Sequence, residues 1–529
     1  MKTLDAKDFL HRYGKYLAGT ILIGVAAYFA LMAEELNNNY DGIWHLSHFI
    51  AGDFEISLGR GLERYADRAR FGIVSSPLNT ILCLILTGIV NILIIRRFEL
   101  EDTWYAWILV FLLTVNPGFC DTLSYIYLAV NYLLAYLFSA LSFYILSDPG
   151  RWENGWGDRK GTLKHLETIL IGGAFLAVSM EFYQAYFCVL CTLLLFYGIR
   201  RCVALKDLRM LKNYYLDGFA GIAAGGVLYL ILTKLLLFRA GITLADYKGV
   251  SDISLSSVLL HFPVSVVRCY QETAAWLFRD HFWMNLEFSG ILTVLLVILF
   301  AASAVMAVIH VARASALHLI PLILSFLMIP VGGCAILVLA VGNIMTGIMG
   351  TGLLLCVVLF PLLIPPLQDR ITRICRGICL AALILFGWYA ISTVTNDQLA
   401  LREGRTATVT LAQNIVRSLY QEPDQLKGRM VALVGRPGNN PAFAQSVAYA
   451  RANEYAQFGL WSTDPRNNRV SWYGVLTNYL GVNLPLCDDV TFDEIRGTQE
   501  VADMPVYPAA GSIRIIGDTV VVKVSELYQ

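Results

Sequence analysis

Residues 34–72 read EELNNNYDGIWHLSHFIAGDFEISLGRGLERYADRARFG, and they separate two long apolar runs, 16–33 and 73–95. Carboxylates, histidines, arginines and aromatic side chains crowd into this stretch, whereas the flanking runs are Leu, Ile, Val and Ala. Apolar runs of that length are suited to a bilayer, where about 20 residues at a rise of about 1.5 Å each cross the hydrocarbon. The polar stretch therefore reads as a loop leaving the membrane between two spans.

The whole chain agrees. Of its 529 residues 57% are hydrophobic and 15% charged, with a mean hydropathy of +0.59. A soluble chain carries roughly 25% charged residues, so a polytopic α-helical membrane protein is the expected class. The formal net charge is zero, which gives no bulk attraction for nucleic acid.

Scanning the chain with that bilayer ruler gives eleven apolar runs: Tyr16–Ala33, Ile73–Ile95, Trp104–Asn116, Ser124–Leu146, Leu166–Val178, Phe182–Gly198, Tyr214–Leu237, Gly290–Val311, Leu317–Ala340, Met345–Leu363 and Ile378–Val394. Trp104–Asn116 is short, and Leu166–Gly198 reads as two spans or one bent one. The first run has no small-residue cleavage site and reads as a retained span. Lys and Arg then set the orientation, because they favour the cytoplasmic side. Segments 1–15, 96–103, 147–165, 199–213, 312–316 and 364–377 hold nineteen of them, and loops 34–72 and 238–289 hold eight. The expectation is a cytoplasmic N-terminus, both loops extracytoplasmic, and everything after residue 394 extracytoplasmic as well.

Residues 395–529 are polar and read as a small α/β domain. An amphipathic helix is expected over Asp397–Tyr420, and MVALVG at 430–435 as a buried strand. SIRIIG and TVVVKVS are expected to form a hairpin turning at Gly517-Asp518. Glycine is too sparse near 435–438 for a nucleotide-binding loop. Most of the eleven cysteines lie in or beside apolar runs, where Cys behaves as a small hydrophobe; Cys188/Cys191 and Cys375/Cys379 lack the His spacing of a zinc site.

Several motifs resemble the bacterial serotype-converting O-antigen glucosyltransferases of the Gtr type II family, within the GT-C class of membrane glycosyltransferases. They are YDG at 40–42, LGRGL at 58–62, SSPL at 75–78, SMEFYQAY at 179–186, WYGVLTNYLGV at 472–482 and MPVYPAAGSIRIIGDTVVVKVS at 504–525. Where many relatives pair two acidic residues, this sequence has Asp41 alone. The resemblance implies a GT-C-like fold in the bacterial inner membrane. It also implies transfer of a hexose, glucose first, from a polyprenyl-phosphate carrier to a lipid-linked or surface glycan. A flippase and a polyprenyl-phosphate sugar synthase would be the companions that supply the donor.

Such chemistry needs a base, cations for the leaving phosphate and a surface that fits a sugar. Asp41 is the candidate base, a carboxylate held near the membrane surface, with Glu34 and Glu35 as substitutes. Asp41 reads equally as the N-cap of a helix starting at Gly42. Asp41, His45 and His48 fall at i, i+4 and i+7, one face of a helix, which is either a divalent-metal site or a polar stripe. His45, His48 and Trp44 are also candidates for contacting sugar.

Arg60, Arg64 and Arg68 repeat every fourth residue, and Arg matches phosphate geometry. Arg60, between two glycines, and Arg64 are the candidate donor-phosphate ligands; the alternative is ion pairing with Glu55, Glu63 and Asp67. Glu181, Tyr183 and Gln184 lie in a turn between apolar runs, where an ionisable group is costly unless it faces a cavity, and they are candidates for sugar or acceptor contact. Lys248 and Arg268 in loop 238–289 are further phosphate candidates, although an amphipathic interfacial helix explains the loop too. Asp121, Tyr125 and Tyr127, at the second outside turn, are expected to close the cavity. The rival functions are a lipid-linked glycan flippase, a glycan polymerase or ligase using a lipid-diphosphate donor, and a non-catalytic assembly subunit.

Overall fold

The computed structural model describes residues 6–38, 41–152, 159–245, 255–279, 289–340, 344–365, 367–462 and 464–526. The helices that build the membrane part are α1 (Ala6–Ala27), α2 (Ser76–Arg97), α3 (Trp104–Thr114), α4 (Pro117–Ser124), α5 (Ala129–Leu146), α6 (Arg159–Phe182), α7 (Phe187–Val203) and α8 (Leu208–Ala240). They are followed by α9 (Leu255–Ala274), α10 (Ser289–Ala314), α11 (Ala316–Gly333), α12 (Thr351–Leu359) and α13 (Arg370–Gln421).

Among the described residues, eight helices are long and apolar enough to cross a bilayer, and nine if α3 and α4, bent by 41°, form one span. The chain is a multi-span membrane protein, with fewer full-length spans than the eleven apolar runs. Leu166–Gly198 does divide into two spans, α6 and α7, joined by a 3-10 turn at Gln184–Tyr186. The run 345–363 is a short apolar piece, Thr351–Leu363. The run 16–33 breaks at Tyr28, after which a short turn, Phe29–Ala33, follows α1. That break is held from outside: Gln398 of α13 accepts the Leu31 N–H at 3.0 Å and donates to Ala27 O at 2.9 Å, while Tyr28 donates to Thr114 O at 3.0 Å. Backbone groups freed inside an apolar layer need such partners.

Local sequence explains several ends. Asn116 caps α4 by accepting the Phe119 N–H, and Pro117 occupies the first turn, where no N–H is needed. Asp369 caps α13 through Thr372 N–H, and α8 stops at Gly241 in a left-handed conformation, φ 70°.

Helices α6 and α8 pack face to face through small residues. A Cβ on Gly173 would sit 2.9 Å from the Gly225 nitrogen, so only glycine lets the two backbones approach this closely. Polar bonds lie on either side of that contact along the pair. The buried His165 and Asp217 side chains meet at 2.5 Å, and Thr233 donates to Glu181 at 2.5 Å.

The span 378–394 and the helix 397–420 are one continuous helix, α13, of 52 residues. At about 1.5 Å per residue it is more than twice as long as a hydrocarbon core of about 30 Å is thick. It runs unbroken through Val394 and Thr395 into the C-terminal region. There β1 (Met430–Val434), β2 (Ile513–Ile516) and β3 (Thr519–Lys523) form a sheet in the order β1-β3-β2. The β2–β3 hairpin pairs Ile516 with Thr519 across Gly517-Asp518, as expected, and β1 joins β3 in parallel. All eleven cysteines are free, nine buried and two partly so.

Candidate functional site

The polar stretch 34–72 folds into short turns, Asp41–Trp44, Asp53–Ser57 and Glu63–Ala69. The first two turns and the loop through Arg60 form one wall of a cavity of about 950 Å³, while Glu63–Ala69 lies off its surface. Six residues singled out from the sequence line it together: Asp41, Trp44, His45, Arg60, Tyr183 and Gln184. Tyr125 and Tyr127 line it too, but Asp121 does not: it is buried within α4.

Arg60 sits on the loop Gly59-Arg60-Gly61, which is fastened from below by membrane helices. Gln184 donates to Leu58 O at 2.8 Å and Gly59 O at 3.2 Å, Tyr229 of α8 donates to Gly59 O at 3.3 Å, and Glu181 accepts the Gly61 N–H at 3.0 Å. Gly59 has φ +73°, and a Cβ there would meet the Tyr229 hydroxyl at 2.4 Å, so both conformation and space call for glycine. The Arg60 guanidinium lies 4.6 Å from the Tyr183 ring centre, and its Nε donates to Gln184 Oε1 at 3.3 Å. Tyr183 stacks on Tyr132 at 4.3 Å. Glu181 itself lies behind this loop and not on the cavity surface, so it does not contact a ligand there and instead bonds the backbone beside Arg60.

Asp41 begins its turn, and the Gly42 N–H is taken by Asn38 Oδ1 at 2.6 Å. The cap of this turn is therefore Asn38, while Asp41 faces the cavity wall. The C-terminal region grips the same turn. Trp44 Nε1 donates to Ser471 Oγ at 3.3 Å, Asn478 donates to Ile43 O at 2.9 Å, and Gly474 packs against Ile43. His45 lies between Phe49 and Tyr127, ring centres 4.6 and 4.7 Å away. Burial pulls its pKa down to about 4, so the ring is neutral near pH 7.

The helical face expected for Asp41, His45 and His48 does not form. The helix ends at Trp44, and residues 47–49 run extended beside 72–74, with Phe49 N–H on Gly72 O at 2.9 Å and Val74 N–H on Ser47 O at 3.1 Å. His48 is exposed there, against Gly72. Among the described residues no three His, Cys, Asp or Glu side chains come together to hold a metal ion.

The arginine ladder is likewise divided. Arg60 precedes the helical turn 63–69; Arg64 pairs with Asp53 at 2.7 Å and donates to Ala51 O at 2.9 Å, and Arg68 is exposed. Arg70 pairs with Asp67 at 2.5 Å. Glu34 meets Arg405 of α13 at 3.4 Å, and Glu35 is exposed; neither lines the cavity. Arg268 is on α9 but not on the cavity surface, where Val258 represents that helix. Lys248 lies outside the described residues.

Sequence reading missed Glu55, Tyr229, Tyr455 and Asn467, all on the cavity surface. It also missed an apolar stripe of α8, namely Ala223, Gly226, Val227 and Leu230. Their spacing is helical, but so is that of any lipid-facing stripe. Tyr455 and Asn467 carry no local signal, because distant chain segments bring them in.

The family described as "Glucosyl transferase GtrII" matches residues 48–359, more than half of the chain. No curated protein and no solved structure matches it. The matched range contains Glu55, Arg60, Glu181, Gln184 and Tyr229 and ends before the C-terminal wall. Multi-span architecture and this match agree: the chain belongs to the GtrII glucosyl transferase family and is a membrane glucosyltransferase.

Proposed function

We propose that the protein transfers glucose from a polyprenyl-phosphate carrier to a lipid-linked or surface glycan, on the extracytoplasmic side of the bacterial inner membrane. One observation carries this reading. A guanidinium, Arg60, and a carboxylate, Asp41, line one cavity whose wall continues into the apolar stripe of α8. A lipid-linked sugar phosphate has the matching parts: an apolar tail, an anionic joint and a polar ring. The excess of Lys and Arg on the other set of loops supports the sidedness. Away from the cytoplasm the donor has to arrive in the membrane, which favours lipid phosphate over a nucleotide sugar.

In this reading the acceptor oxygen attacks the anomeric carbon while the bond from that carbon to the phosphate oxygen breaks. The electron pair leaves on the phosphate, whose growing charge Arg60 offsets. The acceptor proton passes to Asp41. Tyr132, backed by its stack on Tyr183, and Tyr127 supply an aromatic wall for the sugar, and neutral His45 is available to hydrogen-bond without adding charge. Tyr455 and Asn467, on the side of the C-terminal region that also grips the Asp41 turn, form the acceptor wall. A flippase and a polyprenyl-phosphate glucose synthase would supply the donor.

The test is direct. Purified protein in detergent or liposomes, given labelled polyprenyl-phosphate glucose and a surface glycan, is expected to move label to the glycan. Lipid scrambling without any transfer would sink the reading.

A further inference from the structure

The cavity has a second carboxylate, Glu55, on the turn Asp53–Ser57. Its Oε2 accepts the Gly52 N–H at 2.6 Å, which sets the direction of the side chain. Among the described residues no other hydrogen bond or ion pair reaches this carboxylate. The neighbouring cations are engaged elsewhere: Arg64 with Asp53 and Arg70 with Asp67. A half-buried carboxylate on a cavity wall, oriented through one oxygen and open at the other, is built to accept hydrogen bonds from a ligand.

Its place in the chain narrows the ligand. The backbone carbonyl of Glu55 accepts the Arg60 N–H at 3.1 Å, so the two residues belong to one closed turn. If Arg60 holds the donor phosphate, Glu55 is on the leaving-group side of the sugar. The base for an incoming hydroxyl in an in-line displacement belongs on the opposite side. Beyond capping its own turn through the Gly52 N–H, Glu55 has one oxygen placed to hold hydroxyl groups of the ring attached to that phosphate.

We propose that Glu55 is a specificity-determining residue that accepts hydrogen bonds from hydroxyls of the donor sugar. The role rests on the lipid-phosphate donor reading above. A site built to bond a hydroxyl rejects an analogue lacking it far more strongly than a merely space-filling site does.

The experiment uses the full chain, parent and Glu55→Gln, with short-chain polyprenyl-phosphate glucose and its 2-, 3-, 4- and 6-deoxy forms. The amide oxygen of Gln still accepts the Gly52 N–H, so the thermal midpoint of Glu55→Gln should match the parent, which separates recognition from folding. The parent is expected to lose about ten- to a hundredfold in kcat/KM on at least one deoxy donor. Glu55→Gln should lose a similar factor on the full sugar and little more on that same deoxy donor. If the parent transfers glucose but Glu55→Gln repeats every deoxy penalty of the parent, the role of Glu55 is overturned and the donor reading stands. A parent that transfers from no lipid-phosphate hexose overturns both.

Discussion

Glu181 accepts the backbone N–H of Gly61 at 3.0 Å, so a carboxylate carried by a membrane helix fixes the loop that carries Arg60. Thr233 of α8 donates to the other oxygen of Glu181 at 2.5 Å. Two packed helices and one surface loop are thus tied at a single side chain. An ionisable group at this depth is costly unless its oxygens are bonded, and here both are.

Removing that tie should loosen Arg60 more than the fold. Glu181→Ala is expected to lower stability by about 1–3 kcal/mol and to reduce kcat/KM for the donor severely. Thr233→Val, which leaves the Gly61 bond in place, should have the smaller effect on rate. Thermal unfolding and donor kinetics on both variants check the order; equal losses would show that Glu181 does not act through Gly61.

Gly59 and Tyr229 form a second coupled pair. Gly59→Ala brings a Cβ to 2.4 Å from the Tyr229 hydroxyl and strains a backbone at φ +73°. The strain alone is about 1–2 kcal/mol. Adding Tyr229→Phe removes the clashing oxygen, so the double variant should recover part of the stability that Gly59→Ala loses. A double-mutant cycle with no favourable coupling would contradict this contact.

Arg60→Lys keeps the charge but loses the planar fork and the stacking on Tyr183. It is expected to retain a few per cent of activity, and Arg60→Ala much less. Asp41→Asn should depress kcat with little change in donor affinity, because it removes a proton acceptor and leaves the cavity shape. Donor titrations on the three variants separate the two effects.

Two groups, half-buried His45 and buried Glu63, give opposite pH dependences. Burial pulls His45 down to about 4 from an ordinary value near 6.5. The unfolded chain therefore takes up this proton first, and stability present above pH 6.5 is lost as pH falls toward 4. Glu63 is fully buried, and among the described residues neither of its oxygens has a hydrogen-bond partner; burial pushes its carboxyl well above the usual range. Its contribution is present at acid pH and is lost as pH rises above about 4.5. Thermal midpoints measured from pH 4 to 8 should flatten at the acid end in His45→Phe and rise at the alkaline end in Glu63→Gln.

Much of this architecture is written in the chain. Apolar runs long enough for a bilayer announce spans, the shift to polar composition after Val394 announces a different kind of structure, and Gly517-Asp518 between two β-rich runs announces the hairpin. These signals are legible because hydrophobic length and turn chemistry act locally. The same kind of signal failed at Asp41, His45 and His48. Helical spacing is informative only inside a helix, and this one lasts a single turn.

By itself, then, the sequence determined a membrane-spanning class, a polar loop of unusual chemistry at 34–72 and a small C-terminal sheet. Tertiary structure alone decided which of the loop's charges share a cavity. Arg60 is in it and Arg64 is not, because Asp53 captures Arg64 while Gln184, Glu181 and Tyr229 hold the glycines beside Arg60. Tyr455 and Asn467 arrive from more than four hundred residues beyond Asp41, a distance over which no periodicity speaks. The physical reason is that a site of this kind is made by packing between distant segments, and only the folded chain brings them within reach.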